Sequence, residues 1–202
     1  MQIFLETERL TLRPFFQGAG TAGDVDALVA LHSDPAVMRY LGRAGETRET
    51  VREVRIPRFL ELYERGYGYW AAIERETGAF LGWFLFRPPV DDPAPGDVEL
   101  GYRLHTAAWG RGFATEGSLA IVDKGFVELG VQRVVAQTMA VNAGSRRVLE
   151  KVGLRCVGTF QAEYDEPVEG AEHGDVAYVL TRAQWAARRA GGRAPSATTP
   201  PR

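Results

Sequence analysis

The chain has 202 residues, of which 45% are hydrophobic and 25% are charged, and its formal net charge at pH 7 is -2. This composition predicts one globular domain with an ordinary core, and the absence of a dense basic run argues against nucleic-acid or membrane-surface binding as the main task. Cys156 is the only cysteine, so no intrachain disulfide can form. The chain start lacks a signal-peptide pattern and no apolar run approaches the roughly 20 residues of a membrane span, so we expect a cytoplasmic protein.

The first half of the chain predicts a strand, helices and a hairpin. In ERLTLRPF, apolar and polar residues alternate with the period of a strand. Helices are predicted from Asp24, over DPAVMRYL, and from Thr47 to Tyr63, where Pro57 removes a hydrogen bond from the middle of the pattern. YGYWAAIE and AFLGWFLFR flank the short turn RETG and predict two antiparallel strands.

The second half alternates strands and helices. After a loop at 88–96, DVELGYRL predicts a strand, and residues 115–129 predict a helix that stops at Gly130. QRVVAQTM predicts a buried strand, and Asn142 is placed to cap the next helix. LRCVGTFQ and DVAYVLT predict two further strands. The resulting order predicts one mixed α/β domain over residues 1–188, followed by a disordered tail over 189–202.

The stretch WGRGFATEG, residues 109–117, stands at a predicted junction between a strand and a helix. A helix N-terminus has backbone N–H groups without intrahelical partners and the positive end of the helix dipole, and glycines let a bulky anion approach. The junction therefore predicts a phosphate cradle. Its N–H groups are those of Arg111, Gly112, Phe113, Ala114 and Thr115, and the Arg111 side chain adds positive charge.

The glycine spacing separates this junction from two well-known nucleotide loops. A P-loop needs a Gly-Lys pair, which this chain lacks. A dinucleotide-binding fingerprint needs a third glycine where Thr115 stands, and the junction follows several strands instead of opening the first strand-helix-strand unit. Taken alone, the stretch is also compatible with an ordinary helix entry.

Three segments together resemble the GNAT superfamily of acyl-CoA-dependent N-acetyltransferases: VELGYRL, WGRGFATEG and NAGSRRVLEKVGL. TERLTLRPF and TGAFLGWFLF are similar to its RimJ/RimL-type branch, and the resemblance covers nearly all of residues 5–185. It implies a mixed, mostly antiparallel sheet of about seven strands, splayed centrally and flanked by helices. It also implies acetyl-CoA as the co-substrate, and three scattered histidines with one cysteine predict no metal site.

The resemblance places the coenzyme A pyrophosphate at the family pattern [QR]-x-x-G-x-[GA], which runs here from Trp109 through Gly110 to Ala114, with Trp109 in place of Gln or Arg. The pantetheine arm is expected between the splayed strands, bonded to the backbones of Leu104 and His105. Gly101 is expected to form a bulge that starts the splay. The resemblance also makes Asn142 a cofactor contact, although a plain helix cap explains it equally well.

Three residues are candidates for the chemistry. The resemblance gives Glu99 the role of base for the acceptor amine, directly or through water, although a solvated strand glutamate is the alternative. The helix tyrosine that many family members use to protonate the leaving thiolate is replaced by Leu149. Ser145 is the substitute that RimL-like members suggest, and Tyr102 is a further donor that core packing explains at least as well.

The predicted activity is acetyl transfer from acetyl-CoA to a primary amine. A site with one uncertain base suits an α-amine, whose pKa is about 7.7–8.0, better than a lysine side chain at about 10.4. A protein N-terminus is therefore the favoured acceptor, with a small-molecule or antibiotic amine as the alternative. A non-catalytic acyl-CoA sensor is the rival from another class, an NAD- or ATP-dependent enzyme would need motifs that are absent, and both monomer and homodimer stay open.

Overall fold

One mixed sheet organises the fold. The computed structural model describes residues 3–16, 22–42, 45–90, 94–164 and 168–191. Within them the sheet has eight strands in the order β1-β2-β3-β4-β5-β6-β8-β7. Their bounds are β1 Leu5–Glu6, β2 Leu10–Pro14, β3 Gly68–Glu74, β4 Phe80–Arg87, β5 Asp97–Leu104, β6 Arg133–Met139, β7 Arg155–Phe160 and β8 Asp175–Thr181.

Helices cover both faces of this sheet. Their bounds are α1 Ala22–Ser33, α2 Pro35–Met38, α3 Arg48–Thr50, α4 Ile56–Tyr63, α5 Phe113–Val127, α6 Ala143–Val152 and α7 Arg182–Gly191. Short 3₁₀ turns precede α5 and β8. The predicted mixed α/β fold, mostly antiparallel and flanked by helices, is confirmed.

The sheet separates at its centre. Neighbouring strands pair antiparallel except β5 and β6, which run parallel. Residues 97–99 of β5 pair with residues 133–135 of β6, and no further pair joins the two strands although both continue. A gap therefore opens between β5 beyond Glu99 and β6 beyond Val135, and the predicted central splay is confirmed.

Two details of the strands differ from the prediction. The two-residue strand β1 is additional, because an element so short carries no periodicity. The bulge expected at Gly101 is wrong, since β5 pairs with β4 in an unbroken register from Glu99 to Leu104. Irregularities in register lie instead between Ala72 and Ile73, where β3 meets β4, and between Cys156 and Gly158, where β7 meets β8. The gap arises because β6 stops pairing, without a kink in β5 at Gly101.

The helix predicted from Thr47 to Tyr63 is present without interruption, and Thr47 caps it by accepting from the Thr50 N–H at 3.0 Å. Its middle, Val51–Arg55, is a π-helical turn. Pro57 explains this widening, because its nitrogen cannot donate to the carbonyl four residues earlier and its ring crowds that carbonyl.

The C-terminal end also departs from the prediction. The last helix, α7, runs to Gly191, so residues 189–191 are helical and not part of a tail, while residues 192–202 lie outside the described residues. Trp185 donates to Asp123 on α5 at 2.5 Å and packs on Phe126 with ring centroids 5.2 Å apart. These tertiary contacts, which the local sequence does not reveal, hold the helix in place.

Helix α5 lies very close to the sheet. A Cβ atom built on Gly117 would stand 2.3 Å from Cζ of the buried Phe84 and under 3 Å from two more atoms of that ring. A glycine in the middle of a helix costs about 1 kcal/mol relative to alanine. Glycine is needed at this position because a larger residue would prevent the close approach of α5 to Phe84. The close approach in turn sets the position of α5, whose N-terminus forms the predicted cradle.

We expect Gly117→Ala to lower the free energy of unfolding by about 1–2 kcal/mol, because overpacking a rigid aromatic ring outweighs the gain in helix propensity. Thermal and urea unfolding measure it. Gly23→Ala is the matched control, since Gly23 is helical and nothing lies within 4 Å of the position that its Cβ atom would take. Unfolding curves that are the same for the two variants would contradict the close-approach argument.

Candidate functional site

At the N-terminus of α5, five backbone N–H groups have no hydrogen-bond partner among the described residues, as anion binding requires. Gly110 and Gly112 adopt left-handed conformations with φ of 72° and 87°, and Gly112 is the N-cap residue without any side-chain cap. The first intrahelical bond runs from Glu116 N–H to the Gly112 carbonyl. Among the described residues, no acceptor takes a hydrogen bond from the N–H groups of residues 111–115. These are the groups that the sequence assigned to the cradle.

Arg9, at the entrance of β2, fixes this cradle from outside. Its Nη1 donates to the Arg111 carbonyl at 2.9 Å, and its Nε donates to Glu116 at 2.7 Å. Thr7 Oγ1 donates to the same carboxylate at 2.6 Å. Burial acts to raise the pKa of Glu116, but the bonds from Thr7 and Arg9 outweigh it and lower that pKa. The first turn of α5 is therefore tied to the N-terminal strand by charge-assisted hydrogen bonds.

The side chain of Arg111 is already paired. Its Nη2 lies 2.6 Å from Oε1 of the buried Glu74, and its guanidinium stands 4.7 Å from the centroid of the buried Phe113 ring. The Arg9 guanidinium lies 4.6 Å from the same centroid. The charge that Arg111 was expected to add is thus balanced by Glu74. Affinity for an anion must come mainly from the backbone N–H groups and the helix dipole.

The strand β5 presents Leu104 to the gap but not His105. His105 N–H donates to the Leu81 carbonyl on β4 at 2.8 Å, and the His105 carbonyl accepts from Ala108 N–H at 2.9 Å. The His105 N–H is therefore engaged with β4, while its carbonyl keeps a second lone pair, and the contact of His105 with the cofactor stays a prediction. In an antiparallel pair the residue one position earlier directs its backbone groups away from the partner strand. Leu104 accordingly faces the gap, with its carbonyl accepting from the Trp109 indole at 2.8 Å.

Tyr102 and Ser145 meet beside the gap. The Tyr102 hydroxyl donates to the Ser145 carbonyl at 3.1 Å and lies 3.0 Å from Ser145 Oγ. Asn142 caps α6 by accepting from the Ser145 N–H at 3.1 Å, which fixes the first turn of that helix. Burial raises the pKa of Tyr102 to about 12, so its hydroxyl stays protonated at neutral pH. Leu149, one turn further along α6, is buried in the apolar core and offers no proton.

Glu99 lies apart from this hydroxyl pair. Alternation along β5 directs it to the face that α1 and α4 cover, whereas Tyr102 faces α5 and α6. Its carboxylate lies 3.0 Å from Nη2 of Arg87, the residue directly opposite on β4, and its side chain is 32% exposed. Glu99 stands at the last residue paired with β6, so it marks the closed end of the gap.

Three residues that the sequence did not single out brace the cradle. They are Arg9, Glu74 and Glu116, and their partners lie about 37 to 107 positions away in the chain. No local pattern signals such pairs. Within residues 3–16, 22–42, 45–90, 94–164 and 168–191, no cluster of three or more His, Cys, Asp or Glu could hold a metal ion, and no helix is long and apolar enough to cross a membrane.

The fold agrees with the comparisons to known proteins. A family model described as an acetyltransferase (GNAT) domain matches residues 9–155. The chain therefore belongs to the GNAT acetyltransferase family, and acetyl-CoA is its co-substrate. It is an N-acetyltransferase, as the sequence predicted.

Individual relatives agree with this assignment. The chain is 31% identical over 160 residues to the uncharacterized N-acetyltransferase YoaA of Bacillus subtilis, covering 78% of this chain and 85% of that protein. It is 37% identical over 125 residues to the FsC-acetyl coenzyme A-N(2)-transacetylase of Aspergillus fumigatus, covering 59% of this chain and only 52% of that relative, about half its length. The structure of the α-N-protein acetyltransferase RimL with coenzyme A has a TM-score of 0.72 at 21% identity, covering 89% of this chain and 99% of that one, so it shares the fold.

We expect Gly110→Ala to raise the Kd for acetyl-CoA at least tenfold, because a Cβ would project into space that is now empty beside the unpaired N–H groups. Calorimetric titration with acetyl-CoA measures it. Gly130→Ala is the matched control at the far end of α5: its φ of 70° equals that of Gly110 within 2°, and nothing lies within 4 Å of its Cβ position either. Equal losses of affinity in Gly110→Ala and Gly130→Ala would contradict the prediction that the diphosphate of coenzyme A binds at this site.

Proposed function

We propose that the protein transfers the acetyl group of acetyl-CoA to an α-amine, such as that of a protein or peptide N-terminus, and belongs to the RimJ/RimL-type branch of its family. The observation that carries the cofactor site is the set of five unpaired N–H groups at residues 111–115. The diphosphate of coenzyme A accepts from these groups. The pantetheine arm enters the gap between β5 and β6, where the Leu104 N–H faces it, and Trp109 and Asn142 flank it.

The acetyl thioester lies beside the hydroxyl pair of Tyr102 and Ser145. Because the Ser145 carbonyl can only accept, the tyrosine proton points to it, and the 3.0 Å contact between the two hydroxyls is then donated by Ser145 Oγ. Rotation of the serine hydroxyl redirects that proton from Tyr102 to the bound thioester. Ser145 Oγ donates to the thioester sulfur as the tetrahedral intermediate collapses. A thiol has a pKa of about 8.5, so the thiolate is a tolerable leaving group near pH 7 and one hydrogen bond is sufficient help. Leu149 is then no obstacle to turnover.

The choice of an α-amine follows from the state of Glu99. Its carboxylate already pairs with Arg87, so it is not placed as a dedicated acceptor for the amine proton. At pH 7 roughly one α-amine in ten is neutral, against fewer than one lysine side chain in a thousand, a difference of about 3–4 kcal/mol in deprotonation. A site whose candidate base is already held in an ion pair favours the amine that arrives neutral. Glu99 takes the proton after attack, through water.

We expect Ser145→Ala to lower kcat more than tenfold while the KM for acetyl-CoA changes little, because the lost bond acts on the departing sulfur. Release of free coenzyme A thiol measures it. Ser118→Ala is the matched control, since Ser118 is fully buried in α5 and its Oγ has no partner among the described residues. An unchanged kcat in Ser145→Ala would show that Ser145 is not the donor to the thioester sulfur. A lower kcat in Tyr102→Phe alone would assign that hydrogen bond to Tyr102.

We expect a peptide with a free N-terminus and no lysine to be acetylated at least tenfold faster, in kcat/KM, than the same peptide with a blocked N-terminus and one lysine. Mass spectrometry locates the acetyl group. Spermidine and an aminoglycoside extend the panel to small-molecule amines. Faster reaction of lysine, polyamine or aminoglycoside than of every α-amine would overturn the α-amine proposal.

Cytoplasmic location stays a prediction from the sequence, and both monomer and homodimer stay open.

A further inference from the structure

A chain of polar side chains leads from the buried Trp83 and His32 to the exposed Arg55, on the face of the sheet that α1 and α4 cover. The Trp83 indole donates to His32 Nε2 at 3.3 Å, and His32 Nδ1 lies 2.7 Å from Glu46 Oε2. Arg55 Nε donates to the other oxygen of Glu46 at 2.5 Å. Since Nε2 of His32 accepts, Nδ1 carries the proton and the ring is neutral. Each of these groups has a partner.

Arg55 is the ion partner of Glu46 in this group, and Arg103 on β5 acts on Glu46 only through a longer-range Coulomb attraction. Burial lowers the pKa of His32, in agreement with a neutral ring. Burial acts to raise the pKa of Glu46, but the bonds from His32 and Arg55 outweigh it and bring the pKa to about 2. Glu46 is therefore an anion at neutral pH, and Arg55 balances it. The group of four is satisfied and neutral.

Arg103 lies against this group as an additional cation. It stands opposite Trp83 on β5, and its guanidinium carbon lies 5.0 Å from the Trp83 ring centroid. Its Nε is fully buried and has no hydrogen-bond partner, and no described residue forms an ion pair with it. Burial lowers the pKa of Arg103 to about 10, so the side chain still carries its charge at neutral pH. The residue as a whole is half-buried, and its two terminal nitrogens are not among the buried unpaired atoms of the described residues, so they reach solvent and can meet a ligand. A methionine would keep the apolar stem without the cost of the buried, unpaired Nε.

Arg103 lies on the same face of β5 as Glu99, the candidate base for the acceptor amine. Residues of one strand that share a face are about 7 Å apart, so Arg103, Gly101 and Glu99 form a row on the face away from the hydroxyl pair. Gly101 contributes no side chain to the middle of that row, where the Leu85 side chain opposite comes within 3.4 Å of the position that a Cβ atom would take. The residue after Arg103 is Leu104, whose backbone faces the gap. Arg103 is therefore the member of the row that stands beside the open part of the gap.

We propose that Arg103 binds a carboxylate of the amine acceptor, so that the enzyme selects acceptors that carry an acidic group. The proposal rests on the proposed function, since it names a chemical feature of that acceptor. A guanidinium presents parallel N–H donors that match the two oxygens of a carboxylate. Trp83 holds the flat face of the guanidinium, which leaves its edge for the ligand. Arg103 is a specificity-determining residue in this scheme and takes no part in bond making.

Pairs of acceptors that differ only in one carboxylate test the proposal. Alanine is compared with alaninamide for the α-carboxylate, and Ala-Asp-amide with Ala-Asn-amide for a side-chain carboxylate. Nα-acetyllysine and its amide form a third pair with a side-chain amine. We expect the acidic member of at least one pair to have a kcat/KM at least tenfold higher, mainly through KM. No preference for the acid in any pair overturns the proposal.

Arg103→Met assigns the preference to the residue, because methionine keeps an apolar stem over Trp83 and removes the charge. We expect the preference to fall within twofold, with the neutral acceptors and the KM for acetyl-CoA unchanged. Arg48→Met is the matched control, since it removes an exposed positive charge that is paired with Asp26. A preference that survives in Arg103→Met overturns the proposal. Without acceptor, the melting temperature of Arg103→Met should be equal to that of the wild type or higher. A lower melting temperature would be expected if Arg103 had a structural ion partner.

The two proposals fail separately. If only the lysine pair reacts, the α-amine proposal is wrong, and the preference within that pair still decides the role of Arg103. Binding supplies a measurement that needs no turnover: N-acetylalanine and N-acetylalaninamide are titrated calorimetrically into the coenzyme A complex of the wild type and of Arg103→Met. We expect the acid to bind the wild type at least tenfold more tightly than the amide. Equal binding together with absent kinetic preference overturns the proposal.

Discussion

The separation of β5 from β6 after three paired residues is the constraint on which the site depends. A strand inside a sheet normally satisfies its backbone groups on both sides, and an unpaired edge in the middle of a protein is costly unless something occupies it. Here Leu104 faces the opening, and the same strand leads directly into the turn at Gly110 and Gly112, where five more N–H groups lack partners. In the proposed site one extended co-substrate bonds to both sets of groups: its pantetheine arm to the backbone of β5 in the gap, and its diphosphate to the N–H groups of residues 111–115.

Alternation along β5 directs neighbouring side chains to the two faces of the sheet. Tyr102 faces α6 and meets Ser145, where we propose that the thioester lies, whereas Arg103, the next residue, faces the opposite layer and lies over Trp83. The two layers have separate apolar cores, one beneath α5 and α6 and the other beneath α1 and α4. A single strand can therefore present one side chain to the cofactor and its neighbour to the acceptor, without a loop having to fold into the site.

The sequence predicts the parts of this site that are local in the chain. The cradle, the cap at Asn142 and the loss of a proton donor at Leu149 each depend on residues a few positions apart, and the structure contains all three arrangements. The brace from Arg9 to Glu116 was missed, because residues 107 positions apart show no pattern. The sequence also could not distinguish Leu104 from His105: strand parity decides which backbone groups face the gap, and parity depends on a register with β4 that the sequence of β5 does not contain.

The arrangement of charges on this face separates the anchoring of the acceptor from its deprotonation. Arg87 already holds the Glu99 carboxylate, whereas Arg103, on the same strand as Glu99, forms no ion pair with any described residue. In the proposed scheme the acceptor fixes its own carboxylate at Arg103, and this ion pair neutralises the guanidinium, so that Arg103 orients the acceptor without acting on the pKa of its amine. An α-amine, which is partly neutral at pH 7, then attacks the thioester, and Glu99 receives the proton only after the nitrogen has become acidic through that attack.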